Sequence, residues 1–226
     1  MYPAWLEGTW DCTETFRGYE FPSKVPKEKI VSRTSLPGFT KLSISRFADI
    51  GRQSTRYSLT FSLDDSGVVR ESYADNIKAS IEAHTDRREV VDGVDASAGN
   101  PNRMTIRMRA GGRNGERIEM FVNKRRSESL SGGDVFLCSE QVRQVTLGGP
   151  TLQEPGVARM VVGEYQHFFT YRRGLGGEGG GDDEGNYFRA NVLTAVYVDT
   201  QQDSDLFTDV NRPVIVYSHN IVGKRV

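Results

Sequence analysis

The sequence predicts an all-β protein: a single antiparallel barrel of roughly nine or ten strands, with one or two short helices, spanning residues 1–226. Two observations carry this. Long stretches alternate apolar and polar residues with period two, separated by Gly, Pro, Asn and Asp turn signals. A tryptophan also sits early in the first such stretch, where it can close one end of a barrel.

The opening run Tyr2-Pro3-Ala4-Trp5-Leu6-Glu7-Gly8-Thr9-Trp10-Asp11-Cys12 holds both tryptophans of the chain. Pro3 blocks regular structure at the terminus, and Gly8 permits close backbone approach. Trp10, Cys12, Glu14 and Phe16 then share one face of a strand, with Thr9, Asp11, Thr13 and Thr15 on the other. Residues 17–38 are expected to be irregular, broken by Gly18, Pro22, Pro26, Pro37 and Gly38. Leu42 and Ile44 alternate with Ser43 and Ser45 as a strand. Tyr57, Leu59, Phe61 and Leu63 alternate with Arg56, Ser58, Thr60 and Ser62, the clearest strand in the chain. Asp64-Asp65-Ser66-Gly67 turns it back into Val68–Tyr73.

Ile77 and Ile81 lie at helical spacing within Asp75–Ala83, which predicts a short helix; no helix of ordinary length is expected. Residues 90–99 read as a strand end and loop, and Asn100-Pro101-Asn102-Arg103 as a turn. Met104, Ile106 and Met108 then face Ile118, Met120 and Val122 across a hairpin. Further strands are expected at 135–145, 160–172, 187–199 and 214–221. A helical turn is expected at 203–210. The loop 174–185, with seven Gly and four acidic residues, joins two strong strands as a flexible solvated connection rather than a domain linker.

Composition narrows the function. A formal net charge of -1 argues against nucleic acid or an anionic membrane as the main partner. No apolar run reaches the length of a transmembrane helix, so the protein is expected to be peripheral to a membrane at most. The chain opens as a mature domain would after removal of a presequence. Cys12 and Cys138 cannot form a disulfide scaffold, and no Cys/His spacing suggests zinc. His84, His167 and His219 lie on different elements, and no serine sits in a nucleophile elbow. No catalytic, metal or cofactor-binding residues are therefore assigned.

Gly8-Thr9-Trp10 at the start of a meander resembles the opening of lipocalin-like (calycin-like) barrels. Trp10 is then the structural plug, and Arg212 is the candidate to cover its ring. Such barrels can hold a small hydrophobic ligand, a pigment or lipid, and Tyr57, Phe61, Tyr165 and Phe169 would line that cavity. On the outer face, Arg103, Arg107 and Arg109 join Arg117, Phe121 and Arg125 in a basic stripe with one aromatic. This is the candidate partner-binding surface.

Several segments also resemble a family of thylakoid-lumen proteins of cyanobacteria and plastids. They are Tyr2–Trp10, Leu36-Pro37-Gly38, Asn100–Arg103 and the closing Arg212-Pro213-Val214-Ile215-Val216-Tyr217. The resemblance covers nearly the whole chain and extends to an algal thylakoid protein associated with photosystem II assembly and repair. It implies a location in the chloroplast thylakoid lumen after removal of a transit peptide. It also implies a non-enzymatic role in binding lumenal photosystem II subunits. The loop at 174–185 is longer than in that family's pattern.

Overall fold

The computed structural model describes residues 1–32, 44–46, 54–85, 89–97, 99–109, 117–148, 159–174, 186–198 and 212–226. Its ten strands are β1 (Gly8–Glu20), β2 (Thr55–Leu63), β3 (Val69–Glu71), β4 (Val91–Ser97), β5 (Asn100–Met108), β6 (Arg117–Leu130), β7 (Val135–Gly148), β8 (Arg159–Arg173), β9 (Tyr187–Tyr197) and β10 (Ile215–Arg225). Two helices join them, α1 (Lys27–Val31) and α2 (Tyr73–Thr85). All strands belong to one antiparallel sheet in the order β3-β2-β1-β10-β9-β8-β7-β6-β5-β4. The sheet curls into a half-barrel, and α2 packs on β2 and β4, spanning from one side of the opening to the other. Among the described residues, no helix is long and apolar enough to cross a membrane.

The expected hairpin is present, with Met104 opposite Met120 and Ile106 opposite Ile118, all four buried. Several segments depart from expectation. First, β1 continues to Glu20 and α1 occupies part of the stretch expected to be irregular. Second, Ser97 pairs with Asn100, so Asn100–Arg103 belongs to β5 rather than to a turn. Third, α2 has 13 residues, an ordinary length. It contains no Gly or Pro, and Ala74, Ala79 and Ala83 favour helix, while the buried stripe Asn76, Ile77, Ser80, Ile81 mixes polar with apolar residues and hides the amphipathic signal. Ile44–Arg46 are bends rather than strand, and Leu42, Ser43 and 203–210 lie outside the described residues.

Asn76 shows why α2 docks where it does. Its Oδ1 accepts from the Thr60 N–H at 2.8 Å and its Nδ2 donates to the Thr60 carbonyl at 3.1 Å. The side chain thus satisfies backbone groups of β2 just beyond the reach of short β3, as a further strand would.

The opening segment closes one end of the barrel. Tyr2 donates its backbone N–H to Val69, Trp5 donates Nε1–H to the Gly133 carbonyl at 2.7 Å, and the Tyr2 ring packs on Phe61, Phe136 and Tyr171. Behind it an apolar cluster gathers Leu6, Trp10, Leu59, Phe61, Phe188 and both cysteines, which are buried free thiols. A second cluster, built on the β5–β6 hairpin and α2, extends to Val25 and Ile30 at the α1 segment.

Candidate functional site

The alternation that turns Trp10 and Phe169 inward also turns polar residues inward. Glu14, Glu140, His167, Thr194 and His219 all lie on inner faces, each no more than 2% exposed. α2 adds Asn76, Ser80 and His84, and Arg46 enters from the bend at 44–46 with 1% exposed. A buried charge is tolerated only when paired and hydrogen-bonded, so these residues form a polar belt between the two apolar clusters.

One half of the belt is centred on Arg46. Its Nη2 lies 2.7 Å from Glu71 Oε1 and its Nη1 lies 4.0 Å from Glu140 Oε2, while the guanidinium rests over the Tyr73 ring at 4.9 Å. Glu71 also accepts from Tyr2 Oη (2.9 Å) and Asn76 Nδ2 (3.1 Å). Glu140 accepts from Tyr73 Oη (3.1 Å) and Arg125 Nε (2.8 Å). Two guanidinium groups thus face two carboxylates, and the hydroxyl and amide donors fill remaining lone pairs.

The other half is centred on Glu14. Tyr57 Oη donates to its Oε2 at 2.6 Å, while His84 Nε2 and His219 Nε2 lie 3.5 and 3.7 Å from its Oε1. His84 Nδ1 is 2.7 Å from the Ser80 carbonyl, which can only accept, so that nitrogen carries a proton. Burial pushes the Glu14 carboxyl up, but the His84 hydrogen bond and charge, the His219 charge and the Tyr57 hydroxyl outweigh it and hold the carboxyl below its ordinary value. Burial lowers His219, against the pull of Glu14. Burial, Arg46 and His219 together hold His167 well below the usual imidazole range, with its Nδ1 2.9 Å from Thr194 Oγ1. The Glu14 group can share and exchange a proton. However, Glu14 and His219 are 2% and 1% exposed, so a substrate reaching Oε1 would have to displace core side chains. Among the described residues, no set of three or more His, Cys, Asp or Glu is arranged to hold a metal ion.

The belt sets the sign of the pH dependence. His167 and His219 are depressed below 6.5, so their contribution to stability is complete above that value and is lost as pH falls through their folded values. Glu14, depressed below 4.5, adds a further loss at lower pH. The urea midpoint is expected to fall between pH 7.5 and pH 5, and to fall less in His219→Phe. A flat wild-type midpoint over that range would contradict the assignment.

The residues singled out in the sequence are only partly brought together. Trp10 is fully buried, its ring edge-on to Phe188 at 5.0 Å and its Nε1 donating to the Leu6 carbonyl at 2.8 Å. The cation over its ring is Arg225, at 4.3 Å, not Arg212. The register pairs Trp10 with Arg225, whereas Arg212 precedes the far end of β10. Arg225 also donates to the Glu7 and Trp5 carbonyls, and it occupies the space a side chain at Gly8 (φ +117°) would need.

The basic stripe is compensated by acids. Arg103 and Arg117 converge on Glu119 at 3.3 and 2.5 Å, Arg107 pairs with Asp95, and Arg109 pairs with Glu89 at 2.8 Å. Phe121 is half-buried, with Arg103 over its ring at 5.5 Å. Arg125 is not part of the stripe. A bulge between Val122 and Lys124 reverses the alternation, sets Arg125 opposite the fully buried Glu140, and turns it inward. Sequence reasoning missed the belt as a unit. Its signal was polar residues at inward positions, such as Glu14 beside Cys12 and Glu140 beside Cys138.

These features define a single-sheet β-barrel protein with a closing helix and a charged, internally paired interior. Over residues 1–225 the chain matches the model of a domain of unknown function, DUF6816, and it belongs to that family. No curated protein and no solved structure matches it.

Proposed function

We propose that this protein is a non-enzymatic auxiliary factor of the thylakoid lumen, peripheral to the membrane, that binds lumenal photosystem II subunits during assembly or repair. The lumenal and photosystem assignments rest on the sequence resemblance. The segment that carries it most fully, Tyr2–Trp10, is the one that closes the barrel end. The observation that carries partner binding is on the outer wall. Phe168 and Leu193 sit directly opposite each other on β8 and β9, 41% and 44% exposed. Their flanking outward positions Gln166, Thr170 and Asn191 carry no charge. An apolar pair within an uncharged field has the composition of an interface core.

The alternative, a carrier of a small hydrophobic ligand, needs Tyr57, Phe61, Tyr165 and Phe169 to face a ligand. All four are buried and engaged: Tyr57 with Glu14, Tyr165 with Gln144 at 2.7 Å, Phe61 with Tyr2, and Phe169 with Tyr171.

The test is comigration with photosystem II complexes on native gels after adding protein to thylakoids. Wild type is expected to comigrate, and Phe168→Ser with Leu193→Ser is expected to abolish it. Arg107→Glu with Arg109→Glu and Phe121→Ala tests the stripe separately. Wild-type protein that fails to comigrate would overturn the photosystem reading. Full comigration by both folded variants would remove both surfaces.

A further inference from the structure

We propose that β6 carries a self-complementary edge through which two copies of this chain pair as antiparallel strands. β5 hydrogen-bonds to β6 only between Arg103–Arg107 and Arg117–Phe121. Beyond the bulge, residues 124–130 pair with β7 on one side and with no strand on the other among the described residues, and all seven are exposed. A row of unpaired N–H and C=O groups on an exposed strand is a template for another strand.

The charges on this edge select the occupant. Arg125 points inward to Glu140, so Lys124, Arg126, Glu128 and Leu130 project from the outer face. No ion pair is made by Lys124, Arg126 or Glu128 among the described residues. A two-fold related copy must match outward residues with outward residues, which allows only registers an even number of residues apart. Centring the axis on Ser127 sets Arg126 against Glu128 of the second copy twice. It leaves Lys124 opposite Leu130 and Arg125 opposite Ser129, so no like charges meet. Centring it on Arg126 or Glu128 sets that residue against itself. Centring on Ser127 is thus the register that pairs the whole of 124–130 with no like charges opposed, and a second copy of the chain supplies the complement. The inference is independent of which larger partner the outer wall binds.

Charge reversal with rescue tests it, read by sedimentation equilibrium from micromolar to submillimolar protein. Wild type is expected to dimerise reversibly, more weakly at high salt. Arg126→Glu and Glu128→Arg are each expected to raise the dissociation constant at least about tenfold, because opposed cross-strand charges become like charges at two sites. The combined Arg126→Glu/Glu128→Arg protein is expected to recover the wild-type constant, as is an equimolar mixture of the two single variants. Ser127→Cys is expected to cross-link copies on mild oxidation, since the axis passes through it. A wild-type monomer throughout the range overturns the proposal. A dimer unaffected by either reversal, or one that the combined variant does not restore, also overturns it, because the contact would then lie elsewhere. The variants lie on an exposed edge, so folding is checked by an unchanged urea midpoint.

Discussion

Trp10→Ala is expected to lower stability by about 3–5 kcal/mol, the range for deleting a fully buried aromatic side chain. Three separate contacts go with the ring: the edge-on packing against Phe188, the hydrogen bond to the Leu6 carbonyl, and the Arg225 guanidinium above it. The hydrogen bond matters beyond its own strength, since it fixes the turn at Ala4–Leu6 that leads the opening segment across the barrel end. Trp10→Phe keeps the aromatic contact and loses the donor, so a smaller loss is expected. Denaturant midpoints measure both. An unchanged midpoint for the alanine variant would mean that the ring is not part of the core.

Arg46→Leu is expected to cost a similar amount, about 3–5 kcal/mol, by a different route. Arg46 is 1% exposed and faces Glu71 and Glu140, so its removal leaves two buried carboxylates short of a cation. The loss comes from stranded charge rather than from vacated volume. Adding Glu71→Gln and Glu140→Gln to Arg46→Leu is therefore expected to recover part of the stability, although it removes more native contacts. If the triple variant is less stable than the single one, unpaired charge is not the cause.

Strands that obey period two without interruption were legible in the sequence. Tyr57–Leu63 and the Met104–Ile118 hairpin stand where alternation puts them, because one buried face fixes register. What was not legible turned on single-residue events. One inserted residue near Asn123 reverses every side chain after it, which moved Arg125 from the outer wall to Glu140. Asn100-Pro101-Asn102 has turn chemistry, yet Asn100 is already paired with Ser97 and the segment lies within β5. α2 was underestimated because its buried stripe includes Asn76 and Ser80, which dock on sheet backbone and belt rather than on an apolar core. The Glu14–His84–His219 group joins residues far apart in the chain: the pairing of β1 with β10 brings His219 to Glu14, and the packing of α2 on the sheet brings His84. Each member was visible alone as a polar residue on an inner face, and that is the sequence signal of a buried partner.

The strand order also has a consequence for how the chain reaches its native state. β4 to β10 are neighbours in sequence and in space, so they can zip together as they emerge. β1, β2 and β3 form a second run of neighbours, followed at once by α2. Among the described residues, the one strand-to-strand seam joining the two runs is β1 against β10, where Trp10 meets Arg225 across almost the whole chain. Closing so long a loop is entropically costly, which makes this seam the expected slow step of folding. Two interior contacts join the runs, Arg46 with Glu140 and Glu14 with His219, while Arg46–Glu71 and Arg125–Glu140 each form within one run. Glu14, Arg46 and Glu71 arrive with the first run, while Arg125, Glu140 and His219 arrive with the second. Until the halves dock, these charges remain hydrated. If they dock out of register, some of them are buried without a counter-charge. Docking out of register is therefore expected to be disfavoured, because Glu140 would lose Arg46 and Glu14 would lose His219.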